Sequence, residues 1–179
     1  MAVSTGKTKC GIDKTLLIDL DTGAQEVLYV NGTGILDVTL SLDTNAYADG
    51  DVLAATQEIP DALRFNGGTG IVQSLIALDK DDQGLAFDVV FLKSNVSIGA
   101  ENAAVSITDT DAEQILGIVN VEAANFDDLV ASQIATKVNV GIPVKSDGGT
   151  KSLYIAAISR GAGTYSAAGI ILRVGILRD

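Results

Sequence analysis

A regular alternation of apolar and polar residues over residues 35–43 constrains the fold of this chain more than any other feature. Leu36, Val38, Leu40 and Leu42 alternate with polar side chains, so one face of the segment is buried and the other meets water. This period of two predicts a β-strand. Further strands are predicted for the apolar runs at residues 52–59, 71–78, 85–92, 138–144, 153–159 and 170–176.

Helical signals are few and short. Thr110 and Glu113 fit a capping box and Gly117 supplies a stop, which predicts a helix over residues 111–116. Apolar spacing predicts a second helix within residues 125–137. Because no long helices separate the strands, we predict a mainly β protein: an antiparallel β-sandwich or barrel with one or two short helices and an N-terminal arm.

The N-terminal region differs from the rest of the chain. KTLLIDL and EVLYV could form strands, but their Gly-rich flanks and charged start are typical of an arm. We therefore predict an N-terminal arm or edge strands over residues 1–33 and a single β domain over residues 34–179. The 179 residues suit one domain of ordinary size, and an aromatic content of 4% implies a core of small aliphatic side chains.

Residue types that common active sites require are missing. The chain has no histidine and one cysteine, Cys10, so Ser-His-Asp and Cys-His nucleophiles, His-based zinc sites and thiolate cages are excluded. Most Asp residues stand at predicted turns and caps, where local hydrogen bonds favour them. We predict that the protein is not an enzyme and uses no cofactor.

The charge distribution argues against two classes of partner. The net charge is −11 and the 12 basic residues are mostly scattered, whereas a nucleic-acid surface gathers Lys and Arg on one face. No apolar stretch approaches the roughly 20 residues of a membrane helix, and the N-terminus lacks the apolar region of a secretory signal. We predict no nucleic-acid partner, no membrane partner and synthesis in the cytoplasm.

Residues 79–84, DKDDQG, resemble half of a calcium loop. Asp79, Asp81 and Gln83 fall on its first three side-chain ligand positions, but the position that needs a bidentate Glu is Val90. The flanking runs also indicate strands instead of helices. We interpret the segment as the polar connection of a β-hairpin and predict no metal site, with Asp79, Asp81 and Gln83 as the candidate ligands if a metal binds.

Four motifs occur in an order that resembles a known group of proteins. They are AYADGDVLA (46–54), IVQSLIALDKDDQGLAFDVVFL (71–92), IGAENAAVSITDTD (98–111) and LYIAAISRGAGTYSAAGIILRVGILRD (153–179). In this order the chain resembles small structural proteins of tailed bacteriophages, in particular capsid decoration or cement proteins. Where such proteins tend to carry Pro before the late Thr-Tyr, this chain has Gly163.

The resemblance implies a virion protein, made in the bacterial host cytoplasm, that binds the outer face of the head and stabilises the capsid shell. Its partners would be the major capsid protein and further copies of itself, with a homotrimer at three-fold positions as one arrangement. The interface candidates are Arg64, Phe65, Arg160, Tyr165, Arg173 and Arg178. The alternative for each is an ordinary solvated charge or a core aromatic.

Two other functions stay open at this point. A phage tail, neck or tail-tip component would share the β fold but assemble into rings. A carbohydrate-binding β-sandwich would need aromatic platforms or calcium-bound carboxylates. Because β-sandwiches host all of these functions, the fold by itself does not choose among them.

Overall fold

The computed structural model describes residues 33–179 and, before them, the backbone of four short strands. The chain divides into two compact units, Met1–Asn31 and Gly32–Asp179. In the first unit β1 (Thr5–Lys7) pairs antiparallel with β2 (Asp13–Thr15), and β3 (Leu17–Ile18) pairs antiparallel with β4 (Gln25–Glu26). The rest of the predicted arm, including Cys10, lies outside the described residues.

The second unit is built almost entirely of strands. Its elements are β5 (Thr33–Thr39), β6 (Val52–Ile59), β7 (Thr69–Asp79), β8 (Phe87–Leu92), α1 (Asp109–Ala112), β9 (Ile115–Val121), a 3-10 turn (Ala123–Asn125), β10 (Phe126–Asp128), β11 (Gln133–Lys145), β12 (Leu153–Ser159) and β13 (Ile170–Arg178). No helix in the described part of the chain is long and apolar enough to cross a membrane.

The strands form two antiparallel sheets. One has the order β10-β11-β7-β13-β5 and the other the order β6-β12-β8-β9. With β10 set aside as an addition to the edge, this strand order is that of a jelly roll, in which two Greek keys fold into a sandwich. The predicted fold class, an antiparallel β-sandwich with short helical segments, is confirmed.

The main core lies between the two sheets. Every second residue of β13 points inward, and Ile170, Leu172, Val174 and Ile176 are fully buried. Burial of one such side chain contributes about 1.5–3 kcal/mol. The core of the sandwich is therefore built from many branched aliphatic side chains, as the composition predicts.

The four-stranded sheet is covered on its other side as well. Val90, Leu92 and Ala156 face outward from this sheet and are buried in a second cluster with Ile98. Partly buried Val96, Ile107, Ile115 and Tyr154 complete that cluster. The long connection between β8 and β9 therefore covers the outer side of this sheet, which explains why β8 is buried at all six positions.

The first predicted helix is shorter than expected. The structure has a single turn, α1, and its N-cap is Thr108, whose hydroxyl accepts the N–H of Asp111 at 3.1 Å. Gly117 does not end a helix, because it lies within β9 and pairs with Phe91 of β8. The prediction over residues 111–116 is wrong for its second half, where pairing with β8 replaces the helix.

The second predicted helix, within residues 125–137, is wrong. This segment forms the β10–β11 hairpin, closed by a hydrogen bond from the Leu129 N–H to the Ser132 carbonyl at 2.8 Å. β11 then pairs along β7 from Gln133 onward. A strand partner that is distant in sequence outweighs the local helical spacing of a few apolar residues.

The predicted hairpin of residues 71–92 is also wrong in its pairing. β7 lies between β11 and β13 in one sheet, whereas β8 lies between β12 and β9 in the other. Residues 79–86 therefore connect the two sheets instead of turning back within one. A polar turn signal marks where a strand ends, but it does not determine which strand becomes the neighbour.

Candidate functional site

The calcium-like segment is held together by one buried carboxylate. Asp79 lies at the end of β7, and its oxygens accept the backbone N–H groups of Asp81 at 2.9 Å, Gln83 at 2.9 Å and Gly84 at 2.8 Å. These bonds satisfy the anion and fix the loop that crosses between the sheets. Asp79 therefore has a structural role in this loop.

The other two candidate ligands are engaged within the protein. Asp81 accepts both the backbone N–H and the hydroxyl of Ser166, at 2.7 and 2.9 Å, which ties the crossing loop to the β12–β13 connection. The Gln83 side-chain amide donates to the Asp81 carbonyl at 3.2 Å. In the described part of the chain, no group of three or more His, Cys, Asp and Glu side chains is arranged to hold a metal ion.

Tyr165, a candidate anchor, lies in the core. Its ring is buried and contacts Tyr47 edge-on at a centroid distance of 6.2 Å. Burial and the nearby charges of Asp79 and Asp81 raise the pKa of Tyr165. The side chain is not available as a surface anchor, because its aromatic ring fills the end of the sandwich.

Two of the candidate arginines form ion pairs inside the molecule. Arg160 donates from Nε to the buried carboxylate of Asp88 at 2.7 Å, and Asn120 donates to the same carboxylate at 2.5 Å. Arg173 pairs across strands with Asp37, with two hydrogen bonds of 2.8 and 3.3 Å. The hydrogen bond from Arg173 lowers the pKa of Asp37 and raises that of Arg173.

The remaining candidates lie at one end of the sandwich. Arg64 and Phe65 belong to the loop between β6 and β7, and the ring of Phe65 is 55% exposed. Arg178, at the end of β13, is half-buried against Gly34 of β5, and its Nε has no hydrogen-bond partner. Arg160 and Tyr165 follow β12 at the opposite end, so the six candidates do not form one patch.

A different surface stands out: the outer side of the five-stranded sheet. Its side chains alternate with the core residues of β5, β13, β7 and β11, and about half of them are aliphatic, beside polar ones such as Thr39, Ser74 and Thr136. We call this surface the outer apolar face. Its aliphatic members are Ile35, Ile71, Ile76, Leu78, Ile134, Val138, Ile171 and Leu177, all exposed or partly exposed.

Strand register makes the outer apolar face continuous. Ile171 lies beside Leu78, which in turn lies beside Ile134. Leu177 lies beside Ile71, which is followed by Pro143. Neighbouring strands are about 4.8 Å apart, so side chains in one row contact each other. The surface is therefore a contiguous patch, whereas isolated apolar residues are normal on any protein surface.

The charges on this face nearly cancel. Asp37 and Arg173 form an ion pair between β13 and β5, the edge strand of the sheet. Asp127 lies on β10, and Asp179 follows β13 in the row of Lys145. Three acidic and two basic side chains leave a formal charge of −1 there, while the whole chain carries −11. The outer apolar face therefore holds little of the excess acidic charge.

Sequence reasoning did not find this face, although a signal was present. GIVQSLIAL in β7 and GIILRVGIL in β13 are nearly continuous apolar runs instead of alternating ones. Such runs are typical of strands covered on both sides. Interpreted as strands covered on both sides, these two runs predict that the outer side of this sheet is also covered.

Comparison with protein-family models finds no match, and comparison with curated protein sequences finds none. Similar solved structures include a proposed sugar-binding protein of Bacteroides thetaiotaomicron, with 13% identity, a TM-score of 0.26 and coverage of 70% of this chain and 66% of that one. Another is VP2 of infectious bursal disease virus, with 13% identity, a TM-score of 0.20 and coverage of 89% and 43%. The chain spans less than two thirds of either protein, and similarities this low carry no argument about function.

Proposed function

We propose that this chain is a structural virion protein of a tailed bacteriophage that binds the outer surface of the head and stabilises the capsid shell. The supporting observation is the outer apolar face, which carries eight aliphatic side chains and little net charge on an otherwise acidic protein. Contiguous exposed apolar patches mark protein contacts. A protein that acts by assembly needs such a surface, and the role requires no catalytic step.

The proposed mechanism is mass action. A protein that binds the assembled shell and not its dissociated subunits stabilises the shell by RT ln(1 + [L]/Kd) per site. Many identical sites on one shell, with contacts between neighbouring copies, increase the total effect through avidity. The partners are the major capsid protein and further copies of this chain.

The chemistry of the candidate residues agrees with a structural role. Asp79, Asp81 and Arg160 use their charged groups to hold loops and strands together. Phe65 is the candidate that presents an aromatic side chain to solvent, in a loop that also carries Arg64. We propose this loop as a contact with the shell, since aromatic and arginine side chains dominate many protein interfaces.

The test is binding of the purified chain to phage heads that lack it. Co-sedimentation should show saturable binding to assembled heads and none to unassembled capsid protein, and the rupture temperature of the heads should rise. Cryo-electron microscopy should place the chain on the outside of the head lattice. Binding to tails alone would contradict head decoration, and absence of binding to any virion part would contradict the whole proposal.

A pair of variants tests the loop contact. Phe65→Ala should weaken binding to heads by about tenfold, because an interface aromatic commonly contributes more than about 1 kcal/mol. Leu129→Ala is the matched control, since its side chain is 53% exposed in a different loop, against 55% for Phe65. Equal losses in the two variants would contradict a specific role of the Phe65 loop.

A further inference from the structure

We propose that the outer apolar face is the contact surface for a second copy of this chain, packed face to face about a two-fold axis. The inference rests on the proposed function, because it names the partner of the surface that supports that function. Three properties of the face favour this occupant: its charge, its self-complementarity and its area.

The low net charge of the face favours a second copy of this acidic chain as its partner. The chain carries −11 in total, but the three acidic and two basic side chains of the face leave it with only −1. Most of the excess acidic charge therefore lies elsewhere in the chain. Two copies that approach through this face keep their like charges apart, whereas other approaches place acidic surfaces opposite each other.

The ion pair between β5 and β13 is suited to two-fold packing. Asp37 and Arg173 lie on adjacent strands in the same row of the sheet. In an isologous contact the same residues are supplied by both copies, so each acidic or basic group can meet its opposite on the partner. Because each charge already has a partner within its own chain, covering the pair leaves no unpaired ion.

The area of the face determines how strongly the two copies are expected to bind each other. Four strands about 4.8 Å apart, with about eight residues each at about 3.3 Å per residue, present about 500 Å² per copy. The total of about 1,000 Å² is at the lower limit for a specific interface. The dimer should therefore be weak and concentration-dependent, and its two-fold contact closes at two copies instead of three.

Sedimentation velocity of the full-length chain, without phage particles, tests the proposal. The wild-type protein should pass from monomer to dimer as its concentration rises through the micromolar range. Leu177→Glu places a charge within the face and should raise the dimer dissociation constant by at least tenfold. Ile118→Glu is the matched control on β9, where the side chain is 46% exposed against 43% for Leu177, and it should leave the constant unchanged.

Three outcomes would overturn the proposal. The wild-type chain could stay monomeric at all concentrations, as it would if another part of the chain or another protein covered the face. Ile118→Glu could weaken the dimer as much as Leu177→Glu, or the assembly could be a trimer. If Leu177→Glu does not fold by circular dichroism, Ile71→Glu replaces it, since Ile71 lies beside Leu177 in the same row. Failure here leaves head binding untouched, because that binding is measured separately.

Discussion

Asp79 shows how a pattern that resembles a metal site can instead provide hydrogen-bond acceptors for backbone N–H groups. An Asp at the end of a strand, followed by a tight polar loop, can accept the N–H groups that the loop leaves unpaired. Asp79 accepts three of them from a position that is almost fully buried. The spacing of Asp79, Asp81 and Gln83 therefore follows from the local geometry of the turn.

Replacing Asp79 with Asn should lower the free energy of unfolding by about 2–3 kcal/mol. One of the two carboxylate oxygens becomes an amide nitrogen, so at least one of the three partly buried N–H groups loses its acceptor and the others lose a charged one. Chemical denaturation with urea measures the change. Glu58→Gln, the equivalent acid-to-amide substitution at an exposed strand position, should change stability by less than about 0.5 kcal/mol. A loss of similar size in both variants would contradict this role of Asp79.

Tyr47 makes the free energy of unfolding depend on pH in the alkaline range. Its hydroxyl accepts the Asp43 N–H at 2.6 Å, and burial raises the pKa of Tyr47 from 10.0 to about 12. The folded pKa lies above the unfolded pKa, so this contribution is complete below pH 10 and is lost as pH rises from 10 to 12. Unfolded Tyr47 ionises in this window, whereas the folded side chain stays neutral.

Tyr47→Phe should therefore be less stable than the wild type below pH 10 and should lose less stability between pH 10 and pH 12. The gap between the two proteins should shrink by up to about 2 kcal/mol over that window. Denaturation curves at several pH values measure it. A gap that stays constant across the window would show that Tyr47 ionises alike in the folded and unfolded chains.

The β10–β11 turn carries a strained residue. Val130 has a φ of 80° and is 88% exposed, and its N–H donates to Asp128 at 2.6 Å. A β-branched residue in the left-handed region is an outlier that costs on the order of 1–3 kcal/mol. The hairpin forms despite this cost because β11 pairs with β7 over most of its length.

Val130→Asn should stabilise the protein by about 1 kcal/mol, because Asn tolerates a positive φ. Thermal unfolding measures the gain as a rise in Tm. The neighbouring substitution Leu129→Asn is the control, since Leu129 is not among the residues with positive φ, and it should give no gain. A lower Tm for Val130→Asn would mean that its valine side chain makes a stabilising contact.

Strand boundaries could be predicted from local patterns, whereas strand pairing could not. The predicted boundaries of 52–59 and 153–159 agree with β6 and β12. The predicted hairpin of 71–92 failed because β7 and β8 each gain both neighbours from later parts of the chain. The Asp79 loop could be located from sequence, but its crossing between sheets could not.

The net charge of the full chain opposes self-association. Two copies that each carry −11 repel at low ionic strength. The Debye length falls from about 30 Å at 0.01 M salt to about 8 Å at 0.15 M, so added salt should strengthen an association through the outer apolar face, which holds little of the net charge.

The dimer dissociation constant should fall by about threefold or more over that salt range, because screening removes repulsion and leaves the apolar contact in place. Sedimentation equilibrium at three or more salt concentrations measures it. A constant that rises with salt would mean that attractive ion pairs hold the copies together, and it would contradict an association driven by apolar contact.

Local patterns in the chain are enough to predict a β-sandwich with an aliphatic core, short helical segments and loops capped by Asp. These properties depend on local period, turn chemistry and composition, which neighbouring residues carry. Local patterns do not predict four other features: the jelly-roll order, the burial of Tyr165, the pairing of Arg173 with Asp37 and the outer apolar face. Each of these joins residues far apart in the chain, and a local pattern does not specify which distant strand becomes a neighbour.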